Sequence, residues 1–260
     1  MFATSGRARL AYTSTGDGPD VLLLHAGVND QRSWSHVLER LAPSHRCVAY
    51  DARGYGETTY EREDGWSPVA DAVAVLDAAG IERAIVVACS MGGRTAVDLT
   101  LAHPERVSRL VLIGAAVRGA PFDAETELDT QSEIAYEAGD FDECGRLEAW
   151  QWLDGPNAPE GRVTGPAREL FLEMNDRALR AEDPGDQADV PAAWPRLGEI
   201  AVPALVLLGR LDVEWIQQTG EGAADLIPGA RLQWLEDVAH VPHLEGDPAT
   251  LDAIESFVSP

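Results

Sequence analysis

The stretch Ile85–Val97, IVVACSMGGRTAV, decides the fold. Three branched apolar residues, Ile85, Val86 and Val87, lead through Ala88 and Cys89 to Ser90, and Met91, Gly92 and Gly93 follow. An ordinary loop serine needs no such company. A buried strand that turns at once into a helix does need it. The apolar run fills the strand, and small residues two before and two after the serine let strand and helix approach. The serine then sits at the tip of a strained turn with its hydroxyl above the sheet. This is the small-x-nucleophile-x-small elbow, with Ala88 where the commonest pattern has glycine. The helix start beneath Ser90 offers N–H groups and a positive dipole end to developing negative charge.

Working outward, apolar runs bounded by turn signals read as buried strands. They are VLLLHAG from Val21, CVAYDARG from Cys47, AIVVACS from Ala84, RLVLIGAA from Arg109, ALVLLGR from Ala204 and RLQWLED from Arg231. Helical patterns lie between them. One runs from Ser67, with Pro68 at the first helical position, to Gly80; another runs from Gly92 to about His103, with Pro104 ending it. The alternation predicts an α/β protein whose mostly parallel sheet is covered by helices on both faces. The N-terminal RLAYTSTGDGPD reads as a strand and turn feeding an antiparallel edge.

Between about Arg118 and Arg196 no strand-like run occurs. Helical, strongly acidic stretches replace it and carry about half of the net charge of −24. The expected organisation is a core of residues 1–117 and 197–260 with a helical cap of residues 118–196 inserted before the penultimate core strand. Such a cap covers the carboxyl edge of the sheet, where open α/β sheets place ligands. An extra helical layer unrelated to ligand binding is the alternative.

Composition removes several function classes. At 45% hydrophobic residues in 260, the chain has ample material for a core. No apolar run of membrane-spanning length and no signal segment is visible, so a cytoplasmic protein is expected. The charge of −24 argues against nucleic acid and anionic membrane surfaces. The three cysteines show no zinc spacing, and no metal or cofactor is expected. All 20 basic residues are arginine, which removes Schiff-base lysines and a P-loop lysine.

The motifs LLLHAGVNDQRSW, DARGYGET, ACSMGG, AHPERVSRLVLIG, LVLLGRLD and VAHVPHLEGDP together resemble the α/β-hydrolase superfamily over nearly the whole chain. Within it, the chain is similar to the capped esterase and lactonase branch that includes 3-oxoadipate enol-lactonases. The order nucleophile, acid, histidine matches that fold. Serine needs a base to take its proton, and six histidines compete for the role. The resemblance selects His240, after the last strand. Asp212, at the turn after ALVLLGR, is the acid that would hold the imidazole; Glu214 is a weaker candidate, and Asp237 is too close in sequence to bridge easily. The backbone N–H groups of Met91 and Gly27 would form an oxyanion hole. Ala26 is a mild departure from the His-Gly that relatives often carry. Residues expected to line or brace the pocket are His25, Trp34, Trp150, Trp152, Phe171 and His243, with Asn29 and Asp30 nearby.

A serine in this elbow implies hydrolysis of a carboxylic ester or lactone through an acyl-serine, with the small-molecule ester or lactone as partner. A homodimer is a further expectation. Other readings are a carbon–carbon bond hydrolase of the meta-cleavage type, a cofactor-free haloperoxidase or perhydrolase, and a non-hydrolytic binding protein or biosynthetic cyclase. Fold-level analogy does not separate them. The acidic insertion leads to an expectation of neutral, partly apolar substrates, unless an arginine such as Arg146 or Arg168 points inward to hold a carboxylate.

Overall fold

The computed structural model describes residues 1–122 and 124–259. Asp123, within the expected cap, and Pro260, at the end of the expected core, lie outside the described residues. Chain order begins β1 (Phe2–Ser5), β2 (Ala8–Thr15), β3 (Asp20–Leu24), α1 (Ser35–Leu41), β4 (Arg46–Tyr50), β5 (Thr59–Tyr60), α2 (Pro68–Ala78), β6 (Ala84–Cys89), α3 (Met91–Ala102) and β7 (Val107–Ile113). It continues with α4 (Glu127–Glu137), α5 (Phe141–Glu148), α6 (Pro166–Leu179), β8 (Ala204–Gly209), α7 (Glu214–Leu226), β9 (Arg231–Leu235), α8 (Pro242–Glu245) and α9 (Pro248–Val258).

Among the described residues the strands form one sheet in the order β1-β2-β4-β3-β6-β7-β8-β9, with β5 on β2. β1 and β2 pair antiparallel at one edge, as expected from the N-terminal segment, and the strands from β4 to β9 run parallel. The order places β3 beside β6 although β4 and β5 intervene in sequence. Successive connections therefore leave that junction in opposite directions and open a crevice at the carboxyl ends of β3 and β6. Ser90 follows β6, and Gly27 lies three residues past β3.

Side chains alternate across the sheet with the period of two that strands impose. Leu22, Leu24, Val86, Leu110 and Val206 face one way, packed against α2 and α3 through Val75, Leu76, Ala96 and Leu99. Val21, Leu23, Val87, Val111 and Leu205 face the other, against α1 and α9 through Val37, Leu41, Ile254 and Phe257. Each fully buried aliphatic side chain contributes about 1.5–3 kcal/mol of transfer free energy. That double-sided burial explains why the core strands read as continuous apolar runs rather than alternating ones.

The segment between β7 and β8 is helical only in part. Thr126 opens α4 with a capping box to Asp129, Asp140 caps α5, and Pro166 starts α6. A π-helical turn, Ala149–Asp154, extends α5. These helices enclose a small core of their own around Leu128, Ala135, Cys144 and Leu147. After Leu179 the chain runs extended instead of helical, against the expectation. It returns along the loop before α2, where Glu63 and Gly65 donate to the carbonyls of Pro184 and Asp186. Five proline and glycine residues within 184–198 keep a long helix out of this stretch, and a short 3-10 helix, Trp194–Glu199, ends it. No helix among the described residues is long and apolar enough to cross a membrane.

Candidate active site

Ser90 holds φ 51° and ψ −113°, and Asp237 is the one other non-glycine with positive φ among the described residues. Such a conformation costs on the order of 1–3 kcal/mol and persists where the surroundings force it. Here they do. The Ser90 N–H donates to Ile113 O at 3.0 Å, and its carbonyl accepts from Arg94 N at 3.0 Å and Ala116 N at 3.2 Å. The small residues are needed as well. A β-carbon on Gly92 would collide with the Leu24 carbonyl, and one on Gly93 with Ala115. Ala88 is fully buried.

His240 reaches the same place from the loop after β9. Its Nδ1 donates to Asp212 Oδ2 at 2.8 Å, and both side chains are buried. Asp212 is fixed through its other oxygen, which accepts the Val213 N–H at 2.7 Å. The His240 backbone is pinned twice: its N–H donates to the Trp152 carbonyl at 3.2 Å, and its carbonyl accepts from the Cys89 thiol at 3.4 Å. Cys89 adjoins Ser90, so that contact brings the histidine loop to the elbow. With Nδ1 carrying its proton toward Asp212, Nε2 is left as the basic nitrogen. Glu214 and Asp237 are exposed and do not reach the imidazole.

Gly114, at the end of β7, was not singled out from the sequence. A β-carbon there would stand 2.9 Å from His240 Nδ1 and 3.0 Å from Asp212 Oδ2. Its φ of 48° also favours glycine. The available signal was LIGAA, a glycine ending the strand next to β6, where a side chain would fill the site.

The N–H groups of Gly27 and Met91 have no partner among the described residues. The two residues face one another: a β-carbon on Gly27 would be 3.7 Å from Met91 Cβ and 3.5 Å from the Tyr55 hydroxyl. Two free donors at one crevice, one of them at a helix start, can receive a developing oxyanion.

The six expected pocket residues separate into different roles. Trp152 lies at the site, its ring 4.6 Å from His240, and it borders a cavity of about 220 Å³ that also touches Tyr136, Glu148 and Leu179. His25 does not offer a ring nitrogen to a ligand. Nδ1 donates to Ala26 O at 2.8 Å and Nε2 accepts from Ala52 N at 3.0 Å, so the ring braces two loops. Burial pulls its pKa down, in keeping with that neutral tautomer.

Trp34 and His243 stack on each other at 4.1 Å and are both fully buried, so neither presents a surface to a ligand. Burial, with the charge of His240 second, lowers the His243 pKa to about 3. Phe171 is likewise wholly buried, in the core between the insertion and the sheet. Trp150 spends its indole N–H on Ala158 O at 3.0 Å and borders a separate surface groove with Trp215. Aromatic size marked Trp150 and Phe171, and position in the sequence marked Trp34 and His243, but what each touches depends on tertiary packing.

Arg146 and Arg168 do not point into a site. Arg146 pairs with Glu143 and Glu160, and Arg168 with buried Asp154. Arg162 is another residue sequence reasoning missed. It joins Leu153 O and Asp154 O in the insertion to Asp237 O and Glu245 around the histidine loop. Among the described residues no group of three or more His, Cys, Asp or Glu is placed to hold a metal ion.

Comparison with known proteins bears on this geometry. The chain is 28% identical over 213 residues, 77% of its length and 74% of the relative's, to the 2-hydroxy-6-oxo-6-phenylhexa-2,4-dienoate hydrolase of Comamonas testosteroni. It is 31% identical over 273 residues to the rhodomycin D methylesterase of Streptomyces sp. (strain C5), covering 91% of this chain and 90% of that one. The fold superposes on the enol-lactonase from Burkholderia xenovorans LB400 with a TM-score of 0.77 at 24% identity, covering 97% of each chain. The family model described as the alpha/beta hydrolase family matches residues 21–253. With the strand order, the strained serine after β6 and the parallel sheet all in agreement, the chain belongs to the alpha/beta hydrolase family.

Proposed function

We infer that the protein is a serine hydrolase that cleaves a carboxylic ester or lactone through an acyl-serine intermediate. The observation that carries this is the buried 2.8 Å hydrogen bond from His240 Nδ1 to Asp212, set at the elbow where Ser90 is held at positive φ. Ser90 Oγ attacks the substrate carbonyl carbon while His240 Nε2 takes the hydroxyl proton, and Asp212 stabilises the imidazolium. The carbonyl oxygen becomes negative and is received by the Gly27 and Met91 N–H groups. His240 then passes the proton to the leaving oxygen as the carbon–oxygen bond breaks. Water, deprotonated by the same histidine, attacks the acyl carbon; the bond from that carbon to Ser90 Oγ breaks, His240 returns the proton to Oγ, and the acid leaves. The helices of the insertion serve as a cap, with Trp152 forming the wall over His240.

Carbon–carbon bond hydrolysis is the second reading, supported by the likeness to the Comamonas dienoate hydrolase. A panel of activated aryl esters, lactones and meta-cleavage dienoates, run beside Ser90→Ala, tests both. Turnover of esters or lactones that Ser90→Ala abolishes is the expected result. Turnover of the dienoates alone transfers the assignment to the second reading, and ester turnover that survives Ser90→Ala removes Ser90 as nucleophile.

A further inference from the structure

Nineteen of the 20 arginines have a partner within the fold. Fifteen pair with carboxylates. Arg83 and Arg109 donate to backbone carbonyls, and Arg9 and Arg231 lie over phenylalanine rings. Arg94 has no carboxylate, carbonyl or ring partner among the described residues. In a chain with 44 Asp and Glu this is notable, because a half-buried cation without a counter-charge keeps part of its desolvation cost. Asp98, one turn further along α3, is engaged by Arg118 at 3.5 Å. Burial first and the Arg118 charge second pull the Arg94 pKa down, the mark of a cation short of counter-charge.

The guanidinium borders a cavity of about 370 Å³ between the loop after β4 and the extended return of the insertion. Met91 and Tyr55 form the wall toward the oxyanion donors, the Tyr55 hydroxyl standing 3.5 Å from a β-carbon built on Gly27. Trp66 adds an aromatic wall. Of the other buried charges facing the cavity, Arg53 and Asp71 pair with each other, and Arg53 also engages Glu63, which lies outside the lining. At the rim, Glu182 is exposed and Asp183 pairs with Arg62. Arg94 is therefore the half-buried cation of the lining without a partner, one helical turn (about 5.4 Å) beyond Ser90.

We propose that Arg94 is a substrate-binding residue and that this cavity receives the carboxylate end of a substrate whose scissile carbonyl lies several bonds away, at Ser90. The planar guanidinium matches a carboxylate in a bidentate pair. A single cation balances one carboxylate, whereas a phosphate monoester, with about −1.5 to −2 charge, would leave excess negative charge beside Asp71 and Glu182. The assignment rests on the reading of Ser90 as nucleophile. It replaces the expectation of neutral substrates, which named Arg146 and Arg168, both paired with carboxylates, as the arginines that could hold an anion.

The test compares kcat/KM on mono-4-nitrophenyl glutarate and on neutral 4-nitrophenyl butyrate, for wild type, Arg94→Gln and Arg94→Lys. Wild type is expected to favour the glutarate ester. Arg94→Gln should lower the glutarate/butyrate ratio by roughly ten- to a hundredfold, as loss of a charged hydrogen-bonded pair does, with Arg94→Lys in between. The same ratio in wild type and Arg94→Gln overturns the proposal. If wild type hydrolyses neither ester, the hydrolase reading fails separately, and calorimetric titration with glutarate decides this one. Binding by wild type that Arg94→Gln loses sustains it; equal binding or none overturns it. Arg94→Met carries the same comparison should Arg94→Gln fail to fold.

Discussion

At the scale of single residues, the site combines one strained position with buried groups whose protonation is tied to the fold. Ser90 pays for its geometry at φ 51°. Ser90→Gly should therefore exceed Ser90→Ala in stability by about 1 kcal/mol, since glycine adopts positive φ without the steric cost. Denaturant midpoints of the two variants check this, and equal midpoints would mean that the turn is unstrained. Asp212→Asn should lower kcat by about 10⁴ by disturbing the imidazole tautomer, and a loss under tenfold would remove Asp212 from its role.

His243 makes a stability prediction. Its folded pKa of about 3 lies below the ordinary 6.5, so between those values the unfolded chain binds a proton that the native chain does not. Its contribution is complete above pH 6.5 and falls as pH drops toward 3, by up to about 1.4 kcal/mol per unit. His25, lowered in the same direction, adds to the trend. His243→Phe keeps a ring against Trp34 and should flatten the fall in Tm between pH 7 and 5. Parallel curves for variant and wild type would contradict the assignment.

At the scale of elements, the elbow and the strands were legible because their signals are local. IVVACSMGG carries its reason within nine residues: apolar strand, strained tip, and glycines where strand and helix meet. The family resemblance selected His240 after β9, the turn after β8 offered Asp212, and the two meet at 2.8 Å. Gly114, Arg94 and Arg162 were not legible, because their meaning lies in what other segments bring beside them. The same holds for Trp34 and Phe171, where aromatic size signals burial but not the face on which it occurs. The extended return after Leu179 was missed because its bonds go to the loop before α2, more than a hundred residues earlier. Gly92→Ala tests the element-level account. The β-carbon would meet the Leu24 carbonyl, so the variant should lose roughly 1–3 kcal/mol as overpacked sites do, read as a lower denaturant midpoint. An unchanged midpoint would show that β3 and α3 are not in tight contact.

At the scale of the whole molecule, a charge of −24 surrounds a cavity holding one unpaired cation. The two act at different ranges. The outer field slows anions and is screened as the Debye length shrinks from about 30 Å at 0.01 M salt to about 8 Å at 0.15 M, while a partly buried pair is screened less. Raising ionic strength over that interval should raise kcat/KM for the glutarate ester and leave the butyrate ester nearly unchanged. A fall for the glutarate ester would mean that attraction, not repulsion, governs its approach. All of this depends on Ser90 being an activated nucleophile. The most direct measurement is mass mapping of the adduct formed with a fluorophosphonate, in wild type and in His240→Ala. Burial holds the Cys89 thiol well above its ordinary pKa, so it supplies no competing thiolate. The predicted result is one adduct on Ser90, lost or strongly slowed in His240→Ala; an adduct on Cys89 with Ser90 unmodified would contradict the account.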